Sequence, residues 1–304
     1  MHLFDEIVRS LSNDLNQICD DFTEYLCGDT AGVSKPKTAV KERSLGSLSA
    51  YNQAILATPT DARLFSGRGF MRHYARDQSG AIVDFTLAIS LDPLLAEAYA
   101  GRAMSYTQLV GGASLEENRM TEALADFDRA ISLQERSANA LNADMKWVYA
   151  ARAVARSYSG DNDGAIADFT RCTQTAPSAS DYYNLGVSQA TSALYPSALA
   201  SLSKSLTQRP EIATYYARSV TLAALGDEFG ASRDYSEALA RETPGSGSLQ
   251  SNDEHAYYFR ALARLARDNR EAATADLRTT IEICDRKQNA ALRQTATAKL
   301  AEVG

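Results

Sequence analysis

The sequence predicts an all-α solenoid of stacked antiparallel helix pairs, and three observations carry that reading. First, one phrase recurs along the chain: Ala, then an aromatic or Leu four residues on, then a small residue three further on. Second, an aromatic followed four residues later by a small residue precedes each full copy. Third, seven prolines and 17 glycines in 304 residues leave room for uninterrupted helices, and β-branched runs are scarce.

The chain opens on an amphipathic helix expected over residues 1–27. Phe4, Val8, Leu11, Leu15, Ile18, Phe22 and Tyr25 alternate spacings of four and three, a heptad stripe. Such a stripe must be covered, by the chain's own first repeat, by a second copy or by a partner. Removing residues 1–27 separates self-packing from self-association. Gly28, Gly32 and Pro36 mark residues 28–43 as a linker, and Ser47/Tyr51/Ala54/Pro59 place a partial repeat over residues 44–61.

The array proper spans residues 62–287. Its recurring phrase reads Ala81/Phe85/Ala88, Ala123/Phe127/Ala130, Ala165/Phe169/Cys172, Ala198/Leu202/Ser205, Ala231/Tyr235/Ala238 and Ala273/Leu277/Thr280. Pro93, Pro177 and Pro210 close three of these second helices, because proline cannot continue a helix. The preceding phrase reads Phe65/Gly69, Tyr99/Ala103, Tyr149/Ala153, Tyr182/Gly186, Tyr215/Ser219 and Tyr257/Ala261. Spacings of three and four put each set on one helical face. Small residues let two helices approach, and the aromatics are expected to fill the space beside them. Residues 288–304 read as a capping helix with Leu292, Ala296 and Leu300 on one stripe, the cover a solenoid needs for its last apolar face.

These phrases resemble the tetratricopeptide repeat (TPR), a helix pair of about 34 residues with this alternation of bulky and small positions. The resemblance implies a right-handed superhelical solenoid whose first helices line a concave groove, and protein–protein interaction as the function. Successive Ala anchors lie 42, 42, 33, 33 and 42 residues apart, so several repeats exceed the family's length. The extra residues are expected around 111–118, 134–146 and 244–253.

A charge pattern runs through the repeats. Arg68, Arg102, Arg152, Arg218 and Arg260 each precede the small residue of a first helix. Asp84, Asp126, Asp168, Asp234 and Asp276 each precede the bulky residue of a second helix. The fourth repeat lacks both, with Leu185 and Ser201 in those slots. Joint loss favours pairing within a repeat, since pairing across repeats would orphan Asp168 and Arg218. These are expected to be structural ion pairs.

Reactive chemistry is sparse, and the chain is not expected to be an enzyme. The three histidines, His2, His73 and His255, form no constellation with the cysteines Cys19, Cys27, Cys172 and Cys284. Gly67-Arg68-Gly69 follows no strand and falls inside a helix, so it is no phosphate loop. Asp161-Asn162-Asp163-Gly164 lacks the ligand series of a calcium loop and reads as a helix–helix turn. No metal or cofactor is expected. A net charge of -7 and a pI near 5.1 argue against nucleic-acid binding. No apolar run reaches the ~18 residues of a membrane span. An acidic N-terminus and unpaired cysteines fit a cytoplasmic protein.

The expected partner is therefore a protein or peptide. The residues after the small first-helix positions are Phe70, Met104, Val154, Val187, Val220 and Leu262, all apolar. Tyr183, Tyr216 and Tyr258 follow the first-helix aromatics of the last three repeats, and Tyr74, Trp147 and Tyr158 extend the set. The family resemblance places such positions in the groove, where members that clamp acidic tails carry Lys and Asn instead. An apolar or aromatic segment, helical or extended, is expected to bind there. A sensor of a small signalling ligand and a non-catalytic subunit of a larger complex are the competing readings.

Overall fold

A computed structural model describes residues 48–108, 116–136, 146–174, 177–242, 249 and 253–303. The expected helix over 1–27 and the linker over 28–43 lie outside these residues, as does most of each expected insertion. The described residues contain fourteen helices and no strand, and they form two compact units, residues 48–155 and 156–303. In the first unit α1 covers residues 48–57, α2 is Ala62–Tyr74, α3 Gln78–Leu91, α4 Ala96–Gln108 and α5 Glu116–Arg136. Helix α6, Lys146–Ser159, runs from the first unit into the second. There α7 is Asn162–Cys172, α8 Ala179–Thr191, α9 Tyr195–Gln208 and α10 Ile212–Ala224. The chain continues with α11, Glu228–Arg241, α12, Glu254–Leu265, α13, Arg270–Lys287, and α14, Ala290–Val303.

The pairs α2/α3, α4/α5, α8/α9, α10/α11 and α12/α13 pack face to face. In each unit a first helix also touches the next one, α2 on α4, α8 on α10 and α10 on α12. The recurring phrase supplies the core. Ala81, Phe85, Ala88, Ala123, Phe127, Ala130, Ala198, Leu202, Ala273 and Leu277 are all fully buried. The small first-helix residues are small for a steric reason. A Cβ on Gly69 would sit 2.8 Å from the Phe85 ring, and one on Gly186 would sit 2.7 Å from Leu202.

Three of the turns between paired helices share one design. Asp77, Asp161 and Asp227 cap α3, α7 and α11 by accepting a hydrogen bond from the backbone N–H of Gly80, Gly164 and Gly230. Each such cap contributes about 1 kcal/mol. Asp161-Asn162-Asp163-Gly164 is therefore spent on a helix start. Part of the expected insertions is helix instead: α5 runs on to Arg136 and α6 begins at Lys146. At the other end α14 lays Leu292, Ala296 and Leu300 on a cluster containing Tyr258, Leu277 and Cys284.

Candidate functional site

Arg68–Asp84, Arg102–Asp126, Arg218–Asp234 and Arg260–Asp276 close within their repeats as two-pronged bridges. Arg68 donates from Nε to Asp84 Oδ2 at 2.9 Å and from Nη2 to Oδ1 at 2.7 Å. Arg102 meets Asp126 at 2.7 and 2.9 Å, Arg218 meets Asp234 at 2.5 and 3.0 Å, and Arg260 meets Asp276 at 3.0 and 2.7 Å. The fifth pair falls on either side of the unit boundary. In the first unit Arg152 bonds Asp128 at 2.6 Å, and in the second Asp168 accepts from Arg156 Nη1 at 2.8 Å.

Three features of this ladder go beyond the sequence reading. The remaining guanidinium nitrogen, Nη1, reaches back to the preceding second helix or, for Arg260, to its C-cap. Its acceptors are Asn52 at 2.9 Å, Thr86 at 3.3 Å, Asp128 at 2.6 Å, Ser203 at 3.3 Å and Glu242 at 2.9 Å, from Arg68, Arg102, Arg152, Arg218 and Arg260 in turn. Each arginine thus joins its repeat to the one before. Every one of these guanidinium groups also lies over the aromatic three residues earlier. The centroid distances are 5.5 Å to Phe65, 5.8 Å to Tyr99, 5.6 Å to Tyr149, 6.0 Å to Tyr215 and 5.1 Å to Tyr257. Those rings are platforms for cations as well as fillers of space. Finally, a second arginine one turn on, Arg72, Arg156 or Arg264, pairs with Asp84, Asp168 or Asp276 at 3.0, 2.8 and 2.7 Å. The same nitrogen also donates to the carbonyl of Gly80, Gly164 or Ala272. The Arg-x-x-x-Arg spacing was visible in three repeats.

Burial sets the electrostatics. Asp84, Asp234 and Asp276 are buried, so each carboxylate exchanges its hydration for guanidinium. Burial opposes the charge of Arg260, but its bonds to Asp276 and Glu242 hold its pKa above the usual arginine value.

The expected groove residues divide. Phe70, Met104, Tyr183, Val187, Tyr216 and Tyr258 are buried, which corrects their assignment as open groove lining. The tyrosines knit neighbouring elements together. Tyr183 donates its hydroxyl to Asp253 at 2.7 Å, the residue that caps α12, and Tyr216 donates to Glu242 at 2.7 Å. Burial, and then these carboxylates, raise the pKa of both phenols. Tyr258 packs beside Ala261, Leu292 and Ala296. The other six, Tyr74, Trp147, Val154, Tyr158, Val220 and Leu262, are only partly buried.

In the first unit Trp147 and Tyr74 rest on one buried cluster formed by Phe65, Phe70, Met71 and Phe85. Trp147 stands edge-on to Phe70 at 6.2 Å, and Tyr74 stands edge-on to His73 at 5.5 Å. In the second unit Val220 and Leu262 lie on the cluster holding Tyr183, Tyr216 and Phe259.

His73 and Cys284 are buried ionisable groups committed to packing. Burial and the nearby Arg76 charge lower His73 to a pKa of about 4, and its Nδ1 lies 3.0 Å from Ser105 Oγ. Burial pushes the Cys284 thiol up to about 12. Asp253, Glu254 and His255 bring their ligand atoms within 4.8 Å of one another. Both carboxylates are engaged, Asp253 in its cap and Glu254 with Lys287 at 2.8 Å and Asn289 at 3.2 Å. Among the described residues no helix is long and apolar enough to cross a membrane.

No protein-family model and no curated protein matches the chain. Solved structures do. The chain is similar to YrrB, described as a TPR protein with an unusual peptide-binding site, at 16% identity and a TM-score of 0.55. That match covers 72% of this chain and 98% of YrrB. A tetratricopeptide repeat protein from Parabacteroides merdae aligns at 14% identity and a TM-score of 0.55, covering 88% and 98% of the two chains. Pseudomonas aeruginosa pilF aligns at 14% identity and 0.50, covering 79% and 97%. At such identities the likeness is one of fold. Paired helices, the small–bulky alternation and these structures agree: the chain has the fold of the tetratricopeptide-repeat proteins.

Proposed function

We propose that this chain is a non-catalytic scaffold that binds an apolar or aromatic segment of another protein on the first-helix side. The observation that carries the proposal is the pair Trp147 and Tyr74, half-buried on a common core cluster. An indole sets a polar N–H beside a large apolar body, a combination suited to a surface that is apolar at one end and wet at the other. Aromatic anchors of this kind concentrate binding energy, each contributing about 2 kcal/mol or more. YrrB, which shares the fold, is likewise a protein with a peptide-binding site.

Trp147 is the chain's only tryptophan, so its fluorescence reports on this place alone. Peptides selected from a random display library against the full chain should be rich in Leu, Phe, Tyr or Trp and shift its emission. Their affinity should change little between about 0.05 and 0.5 M salt, as charge-driven contacts would not. Tyr74→Ala should weaken them about tenfold or more while melting stays near wild type. Acidic selected peptides, or an emission that never moves on binding, would contradict the proposal.

A further inference from the structure

Arg63, Glu97, Trp147, Ser180, Ala213 and His255 occupy one slot, six residues before the small residue of each first helix, and Glu97 is the one carboxylate among them. It is exposed in the first turn of α4, where the helix dipole favours its charge. Its pKa is raised all the same. Crowding by the surrounding protein outweighs the neighbouring Ser66 hydroxyl and then the Arg63 charge, which both lower it. A carboxyl that is open to water and still crowded stands in a recess. Beside it on α2, Ser66 is fully buried, and its Oγ meets no partner in full hydrogen-bond geometry. One turn further along the two helices lie Phe70 and Gly101, so close that a Cβ on Gly101 would sit 3.0 Å from the Phe70 ring. Trp147 stands edge-on to that same ring at 6.2 Å. The recess therefore has an aromatic level, Phe70 and Trp147, and one turn away a carboxylate level, Glu97 beside Ser66.

We propose that this recess receives a lysine or arginine side chain of the bound segment, its aliphatic stem on Trp147 and its charge at the Glu97 carboxylate. The inference rests on the peptide-binding reading above and names a residue that the peptide carries. Lysine and arginine combine an apolar stem with a charged tip, which matches an aromatic level set one turn from a carboxylate. An indole is also the best aromatic face for a cation. Arg63 acts on Glu97 through space, as the weakest of the three influences, so the carboxylate keeps room for a second cation. An apolar residue in the recess would strip water from Glu97 and return nothing, and an acidic one would repel it. One such pair inside a recess is screened little, so binding stays nearly independent of salt.

Two probes of the full chain test it, and the first needs no peptide. Trp147 is the only tryptophan, so quenching of its fluorescence by caesium and by iodide, at constant ionic strength, reads the charge beside it. Glu97→Gln should lower caesium quenching and raise iodide quenching, each about twofold. Glu122→Gln removes the same charge from an exposed position of α5 and should change neither. Unchanged quenching in Glu97→Gln would overturn the proposal. The second probe is the set of peptides selected from the display library above. Each should carry Lys or Arg beside its aromatic or leucine anchor. Replacing that residue by Gln, or Glu97 by Gln, should weaken binding about tenfold, and the two changes together no further than either alone. Selected peptides that lack a basic residue and bind Glu97→Gln equally well would overturn the cationic subsite and leave the apolar groove standing. An emission that no peptide moves would sink the groove reading itself, and this proposal with it.

Discussion

The fourth and fifth repeats are neighbours with the same helix-pair architecture and opposite chemistry between their helices. In the fifth, Arg218 and Asp234 form a two-pronged ion pair with the carboxylate buried. In the fourth the same slots hold Leu185 and Ser201, and Ser201 donates to Gln189 at 2.8 Å. The aromatic platform survives without its arginine: Lys204 reaches over from α9 to cover Tyr182 at 5.3 Å. Two helices can therefore be clamped without an ion pair. At this slot the fourth repeat has no arginine to reach back. Arg218 Nη1 ties the fifth repeat to Ser203 on α9, but Leu185 has nothing to offer α7. The arginine's distinctive work is joining successive repeats, and the within-repeat pair holds it in position to do so.

Truncations in the two repeats should differ accordingly. Arg218→Ala leaves the buried Asp234 carboxylate only the exposed Arg233, 3.7 Å away, and should cost about 3 kcal/mol by urea unfolding. Gln189→Ala removes a neutral hydrogen bond and should cost about 1 kcal/mol. Equal costs would mean that the two clamps are energetically interchangeable.

A second contrast sets these ion pairs against the neutral polar core of the first unit. His73 beside Ser105 is buried uncharged, with its pKa near 4 against an ordinary 6.5. A lowered pKa means that the fold binds the proton less tightly than the unfolded chain does. His73 therefore contributes stability above pH 6.5 that is lost as pH falls towards 4, in total on the order of 3 kcal/mol. His73→Gln should flatten that part of the stability profile between pH 7 and 5. An unchanged profile would show that His73 is not the group responsible.

The ion-pair register was legible because Arg and Asp vanish together in one repeat, as partners in a contact would. The core was legible too, since Ala81, Phe85 and Ala88 and their counterparts repeat at helical spacing. The backward arms were not. Their acceptors, Asn52, Thr86, Asp128, Ser203 and Glu242, share a place in space but no residue type. The tyrosines were misplaced for a related reason. Tyr183 and Tyr216 end on Asp253 and Glu242, at the edges of a segment outside the repeat pattern, so no periodicity announced that their hydroxyls had partners. Arg72, Arg156 and Arg264 were readable at a fixed spacing, but they occur in only half of the repeats.

The most direct measurement is a double-mutant cycle on Arg218 and Asp234 in the full chain, by urea unfolding with melting as a control. A buried two-pronged pair predicts a coupling of about 2–3 kcal/mol, with the double variant losing much less than the sum of the singles. Coupling within error of zero would show that Arg218 and Asp234 stabilise the fold independently, and would contradict the ion pair as the clamp of the repeat.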